Sequence, residues 1–225
     1  MKLSSRTRQR PTVRSWTVND IPAVAACHRA AYPEYAADNS HYDEQIYAMQ
    51  FQAFPDGQFL VDVRGTVAAY ATSLILRLRA DGQPGTYDEL TSDGSFGRHS
   101  PDGDTLYGAD IAVHPDFRGR GLSHLLYGAR SRLLRRFNLR RMVAFGRIPG
   151  YRKYADRLSA KEYVQRVLQG DVRDPALNTH LRAGYSVKQI LHNPAEEDPL
   201  LKVCTLLEMP NPDFVPHRTV PTIFE

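Results

Sequence analysis

The stretch HPDFRGRGLSHLLY, residues 114–127, decides the reading of this chain. Its second half opens a helix. Leu122, Leu125, Leu126, Ala129, Leu133 and Phe137 recur at helical spacing, so one face packs on other structure, and the arginines are expected on the opposite face. The first half, Arg118-Gly119-Arg120-Gly121, is a poor helix sequence, because glycine is costly in helices. The amides at a helix start have no helical partners and carry a partial positive charge. Glycines there let an anion reach the backbone closely. The stretch therefore describes an anion cradle, with arginine charge around it and the Ser123 hydroxyl as a further donor.

What flanks the cradle is a strand on either side. Leu106 to Val113 has the composition of a buried strand, and Arg141 to Phe145 that of another. Strand, helix, strand in this length is a crossover unit whose two strands lie near each other in a sheet. Upstream, residues 12–17 suggest a strand. A helix follows that Asn19 or Asp20 caps and Pro33 stops. Ser40 and Asp43 suit the start of a second helix ending near Pro55. Residues 59–63 and 66–78 form two β-rich runs around Arg64-Gly65, a hairpin pattern. Residues 80–104 are rich in Gly, Asp and Ser, and are expected to be a long loop, functional or disordered. Downstream, Ser159 and Glu162 make a capping box for a helix that Gly170 ends. Asp174-Pro175 opens a short helix closed by Gly184. Two closing strands follow, at 187–191 and 201–208. The arm 1–10 is basic and expected to be flexible, residues 11–210 form one domain, and residues 211–225 form a Pro-rich tail.

Composition excludes several classes. With 225 residues, 42% hydrophobic and 24% charged, the chain is an ordinary soluble domain. No run approaches the roughly 18 apolar residues of a membrane span. Cys27 and Cys204 are the only cysteines; they make neither a disulfide framework nor a metal spacing, which suggests a reducing, cytoplasmic setting and no metal. The net charge is +4, and ten arginines fall between Arg118 and Arg152. No aromatic interleaving accompanies them, so an anionic small ligand is favoured over nucleic acid.

The cradle lacks the G-x-x-x-x-G-K-[ST] of a Walker loop, and His124 breaks the G-x-G-x-x-G of a dinucleotide site. It resembles instead the acyl-CoA pyrophosphate loop of the GCN5-related N-acetyltransferases (GNAT), with the pattern [RQ]-x-x-G-x-[GA] behind a strand ending in Val-x-Pro. Arg118, Gly121 and Ser123 fill those positions behind Val113-His114-Pro115; Ser123 is a small departure. The resemblance covers about residues 11–210. Two further segments, the ten residues from Arg147 and the twelve from Asp174, are similar to a GNAT subgroup often fused to a carbon–nitrogen hydrolase domain. The chain ends where such a partner would begin, so no hydrolase chemistry is expected of it.

The resemblance implies an α/β GNAT fold, with a mixed, mostly antiparallel central sheet flanked by helices and two splayed central strands. It implies acetyl-CoA as acyl donor, with pantetheine along Ile111, Ala112 and Val113 and the pyrophosphate on Arg118, Gly119, Arg120, Gly121, Leu122 and Ser123. The reaction is then direct attack of a primary amine, on a small molecule or peptide. The family often places a tyrosine four residues before the glycine of a late Y-x-x-x-G-[FY] motif, as acid for the thiolate. Here that glycine is Gly184 and the position holds His180, whose imidazole works near neutrality. For the base, Asp110 and Tyr107 lie on the central strand, Asp110 without an obvious partner and with a pKa that burial would raise. Tyr151, Tyr154, Arg147 and Arg152 are expected mainly to support the Ser159 helix rather than to line an acceptor pocket, and Trp16, Tyr32 and Tyr35 to be core or groove wall. The departure at His180 keeps a non-catalytic acyl-CoA-binding module, or a partner of a nitrilase-like hydrolase, open as an alternative. A homodimer is compatible with all of this.

Overall fold

A computed structural model describes residues 10–36, 42–78, 85–192 and 202–216. Seven strands form one sheet in the order β1-β2-β3-β4-β5-β7-β6. In chain order they are β1 Thr12–Ser15, β2 Phe59–Val63, β3 Thr66–Leu76, β4 Thr105–Val113, β5 Arg141–Arg147, β6 Ser186–His192 and β7 Val203–Pro210. Every neighbouring pair is antiparallel except β4 with β5. The helices are α1 Ile21–Ala31, α2 Glu44–Ala53, α3 Tyr87–Thr91, α4 Leu122–Arg136, α5 Ala160–Gln169 and α6 Leu177–Arg182.

Local chemistry accounts for most boundaries. Arg64 and Gly65 both take positive φ, as a two-residue hairpin turn requires. The Asp43 carboxylate accepts from the Ile46 amide and starts α2; Ser40 lies outside the described residues. The Ser159–Glu162 box is present in both directions, and Gly170 ends α5 with φ +87°. Asp174 Oδ1 accepts from the Ala176 and Leu177 amides. Its Oδ2 accepts from Gly150 N–H and the Tyr163 hydroxyl at 2.9 and 2.8 Å. The two segments that resemble the GNAT subgroup are thus tied together by one fully buried carboxylate.

Two expectations change. From Gly85 onward, the presumed loop is built: a Thr86–Glu89 capping box starts α3, and Phe96 is wholly buried. Residues 80–84 lie outside the described residues. At the other end, Asn211 is buried, with its amide side chain on the Leu139 carbonyl, and Asn138 exchanges two hydrogen bonds with Val215. The start of the Pro-rich tail is therefore docked on the α4–β5 turn. The arm 1–10, apart from Arg10, lies outside the described residues.

The core divides across the sheet. On one side α1 and α2 pack Val24, Cys27 and Tyr47 against Leu60, Tyr70 and Ala112. On the other, α4 lays Leu122 and Leu126 on Ala69 and Ala71, while Tyr127, Leu133 and Leu134 join α5 and α6.

Candidate active site

The parallel pair β4/β5 is hydrogen-bonded only at its beginning, where Thr105, Leu106 and Tyr107 face Arg141, Met142 and Val143. Beyond Tyr107 the strands part, and β5 turns to β7 through Arg147. This fork opens toward the C-terminal end of β4, where α4 begins. One side of the sheet supplies a cradle and the other a polar pocket.

At the cradle, Gly119 and Gly121 both have φ +74°, and a Cβ on either would meet nothing within 4 Å. Gly121 is the N-cap of α4 and offers no side-chain cap, so the first amides of the helix have open approach above them. The glycines thus fit an anion over the backbone. Arg118 does more than add charge. Its Nη2 donates to the Ala31 carbonyl at the end of α1 at 3.0 Å, and its Nε to the Val113 carbonyl at 3.3 Å. Arg120 donates to the Asp116 carbonyl and lies over the Phe117 ring. Both arginines hold the loop in shape. The predicted pantetheine edge is not bare either: Ile111 N–H donates to Asp110 Oδ1 at 2.7 Å, and its carbonyl accepts from the Tyr32 hydroxyl.

In the pocket, a bulge decides which residues meet. Thr72 pairs with Asp110 but Ser73 with Gly108, leaving Ala109 as the extra residue. Three positions apart on a regular strand, Tyr107 and Asp110 would face opposite sides; the extra residue brings both to the α1–α3 side. The Asp110 carboxylate accepts from the hydroxyls of Tyr70 and Tyr32. Tyr70 also contacts His28 Nδ1 at 2.8 Å and the Tyr47 hydroxyl at 3.1 Å. The expected lonely, high-pKa aspartate is therefore corrected. Burial does push its pKa up, but His28, Tyr70 and Tyr32 outweigh that and hold it below the usual carboxylate value. Tyr107 is wholly buried, with no partner for its hydroxyl among the described residues. Burial raises its pKa well above 10, so it is a phenol that lines the fork and not a base.

On the cradle side sits a residue that the helical pattern disguised. Arg130 was expected on the exposed face of α4; it is 1% exposed. Its Nε donates to Ser73 Oγ at 3.0 Å and its Nη2 to the Thr72 carbonyl at 2.7 Å and to the Asp110 carbonyl. The guanidinium thus pins the bulge. Gly108 leaves it room, since a Cβ there would stand 3.0 Å from Arg130 Nη1. His180 is also buried, with Nδ1 2.9 Å from the Tyr127 hydroxyl. Burial first, and the Arg130 charge second, lower its pKa to about 4. The imidazole expected to titrate near neutrality is instead neutral at pH 7.

Other expectations sort themselves by contact. Tyr151 and Tyr154 pack on Tyr163 and support α5. Arg147 instead reaches across to α1's end, pairing with Glu34 at 3.3 Å over the Tyr35 ring. Several outer arginines are ion-paired: Arg135 with Asp213, Arg136 with Asp56, Arg140 with Asp104. Sequence reasoning missed His28 and underrated Tyr32. Their signal was the spacing of four, which puts both on one face of α1, followed closely by Tyr35, Tyr42 and Tyr47. Among the described residues no group of three His, Cys, Asp or Glu could hold a metal, and no helix is long and apolar enough to cross a membrane.

Comparison with known proteins gives the same fold. The family model of the acetyltransferase (GNAT) family matches residues 23–155, more than half the chain. The chain belongs to the GNAT family. Among solved structures, the GNAT-like decarboxylase GphF in complex with isobutyryl-CoA superimposes with TM-score 0.71 over 89% of this chain and 99% of its own, at 21% identity. The Salmonella typhimurium protein yncA, solved with its cofactor acetyl-CoA, gives TM-score 0.57 over 90% of this GNAT chain and 95% of its own, at 14% identity. At such identities the likeness is one of fold. In sequence, "Uncharacterized N-acetyltransferase YkwB" of Bacillus subtilis is 32% identical over 89% of this chain and 88% of its own. "Probable hydrolase YhcX" of the same organism is 31% identical over 96% of this chain, which spans 41% of that longer protein.

Proposed function

We propose that this GNAT protein transfers an acetyl group from acetyl-CoA to a primary amine by direct attack. The observation that supports the reading best is the fork. It opens between an amide cradle at the start of α4 and a polar pocket on the opposite side of the sheet, so donor and acceptor have separate entrances to one point.

In the proposed reaction the thioester supplies the acyl carbon. An acceptor that arrives as an ammonium first gives one proton to solvent; the C–N bond then forms as the C–S bond breaks, the nitrogen loses its second proton, and the thiolate takes one from solvent. Amides of Leu122 and Ser123, with Gly119, Gly121, Arg118 and Arg120 around them, take the pyrophosphate. Pantetheine lies along the strand edge of Ile111, Ala112 and Val113, where its amide replaces the Tyr32 hydroxyl on the Ile111 carbonyl while the Ile111 N–H stays on Asp110. Asp110, ionised and backed by Tyr70 and His28, takes the proton once the nitrogen has become acidic through bonding to the carbonyl carbon. His180, neutral and braced by Tyr127, gives a hydrogen bond to the departing sulfur. Tyr107 lines the root of the fork.

The cradle is tested by calorimetric titration of CoA into the wild type and Gly121→Glu. A side chain on Gly121 enters open space and its carboxylate faces the phosphates, but φ +74° strains any L residue there by about 1–2 kcal/mol, so Gly121→Ala, with the same strain and no charge, is titrated beside it and should lose far less. In Gly121→Glu affinity should fall at least about 100-fold; equal affinity would place CoA elsewhere.

A further inference from the structure

We propose that the pocket of Asp110, Tyr32, Tyr42, Tyr70 and His28 recognises the acceptor as a cation, a primary alkylammonium that carries no carboxylate of its own. The inference rests on the acyltransferase reading and names the substrate class of that same site. A carboxylate offers about four acceptor positions. Tyr70, Tyr32 and the Ile111 amide take three of those on Asp110. His28 Nδ1 stands 3.7 Å from Oδ2, beyond hydrogen-bond distance, and the side chain nevertheless stays 18% exposed, in contrast to His28 at 6%, so a donor from outside can still reach the carboxylate. The carboxylate remains charged at physiological pH, because its donors outweigh the upward push of burial.

The walls favour the same kind of ligand. Tyr32 and Tyr42 are both partly exposed, and their rings lie 5.1 and 5.7 Å from His28. Aromatic faces attract cations, and more strongly where water is excluded. An acceptor with its own carboxylate would bring a like charge against Asp110. The cation at the rim, Arg147, already pairs with Glu34 at 3.3 Å, so an anionic acceptor would have to compete with that pair. A neutral hydroxyl in place of the ammonium would forfeit both the charge-assisted hydrogen bond and the ring attraction.

The test is equilibrium binding, which needs no turnover. Phenethylamine, 2-phenylethanol and phenylalanine share one skeleton, as do n-butylamine and n-butanol. Each is titrated into the full chain, alone and saturated with CoA, and CoA is titrated separately. In each series the amine should bind at least about tenfold tighter than the alcohol, and phenethylamine similarly tighter than phenylalanine. In Asp110→Asn the amine should fall to the level of the alcohol. Equal binding of amine and alcohol by the wild type, tighter binding of phenylalanine, or no amine binding at all overturns the proposal, and none of these depends on the variant folding. Failure to bind CoA counts against the acyl-CoA reading, while the amine titrations on the protein alone still decide the cation preference.

Discussion

Replacing Arg130 by methionine removes a buried guanidinium at similar side-chain length, and the structure sets the size of the effect. Three hydrogen bonds go, to Ser73 Oγ and to the Thr72 and Asp110 carbonyls. A buried acceptor left without a donor costs about 1–3 kcal/mol. The Ser73 hydroxyl can turn to another partner, whereas the two carbonyls at the bulge are fixed. Against this, Arg130 has no carboxylate at ion-pair distance among the described residues, and methionine relieves the desolvation of that lone charge. The balance is a loss of about 2–4 kcal/mol, read as a lower urea midpoint at unchanged slope. The same variant carries a second, independent reading. Arg130 disfavours the protonation of His180, after burial. Without that charge the His180 pKa should rise from about 4 while staying below 6.5, because burial persists; an NMR titration of the imidazole measures it. Unchanged stability together with an unchanged His180 titration would refute the placement of the guanidinium. Gly108→Ala, whose Cβ would crowd Arg130 Nη1 at 3.0 Å, should lose about 1–3 kcal/mol in the same direction.

Further outcomes follow from other groups. His180 is a base with a depressed pKa, so the unfolded chain binds its proton at a higher pH than the folded one. Its contribution is complete above about pH 6.5 and is lost as pH falls toward 4, amounting to about 3 kcal/mol across that window; urea unfolding from pH 7 to 4 should show the loss, and His180→Phe should flatten this component. Asp174→Ala leaves the donors of Gly150, Tyr163, Ala176 and Leu177 unpaired, and should cost about 3–5 kcal/mol by thermal or urea unfolding. If His180 supports the departing thiolate, His180→Phe should also lower kcat with little change in CoA affinity, and unchanged turnover across pH would remove it from the mechanism.

Where the chemistry is local, the sequence was a good guide. The Arg64-Gly65 turn, the Ser159–Glu162 box, the Asp174 cap and the leucine face of α4 depend on residues a few positions apart. The cradle belongs with them, because its glycines act through their own backbone. The pocket depends on long-range pairing. Tyr107 and Asp110 share a side only because of the bulge at Ala109, which is defined by β3. Asp110 acquires its low pKa from His28, Tyr32 and Tyr70, residues 40 to 82 positions away. Arg130 was misplaced for a different reason. The spacing 122, 126, 130, 133 points it inward while its charge points outward, and the strand carbonyls that settle the conflict lie far away in sequence.

The central claim, that donor and acceptor meet in this fork, is tested most directly by mixing the protein with acetyl-CoA and a panel of primary amines, with free thiol and amine mass followed together. The account predicts thiol release that depends on the amine, matched by a product 42 mass units heavier, the net gain when an acetyl group replaces one hydrogen (about 42 Da, from elementary stoichiometry). Tight CoA binding with thiol release that no amine accelerates would contradict it, and would leave a protein that holds acyl-CoA without acylating an amine.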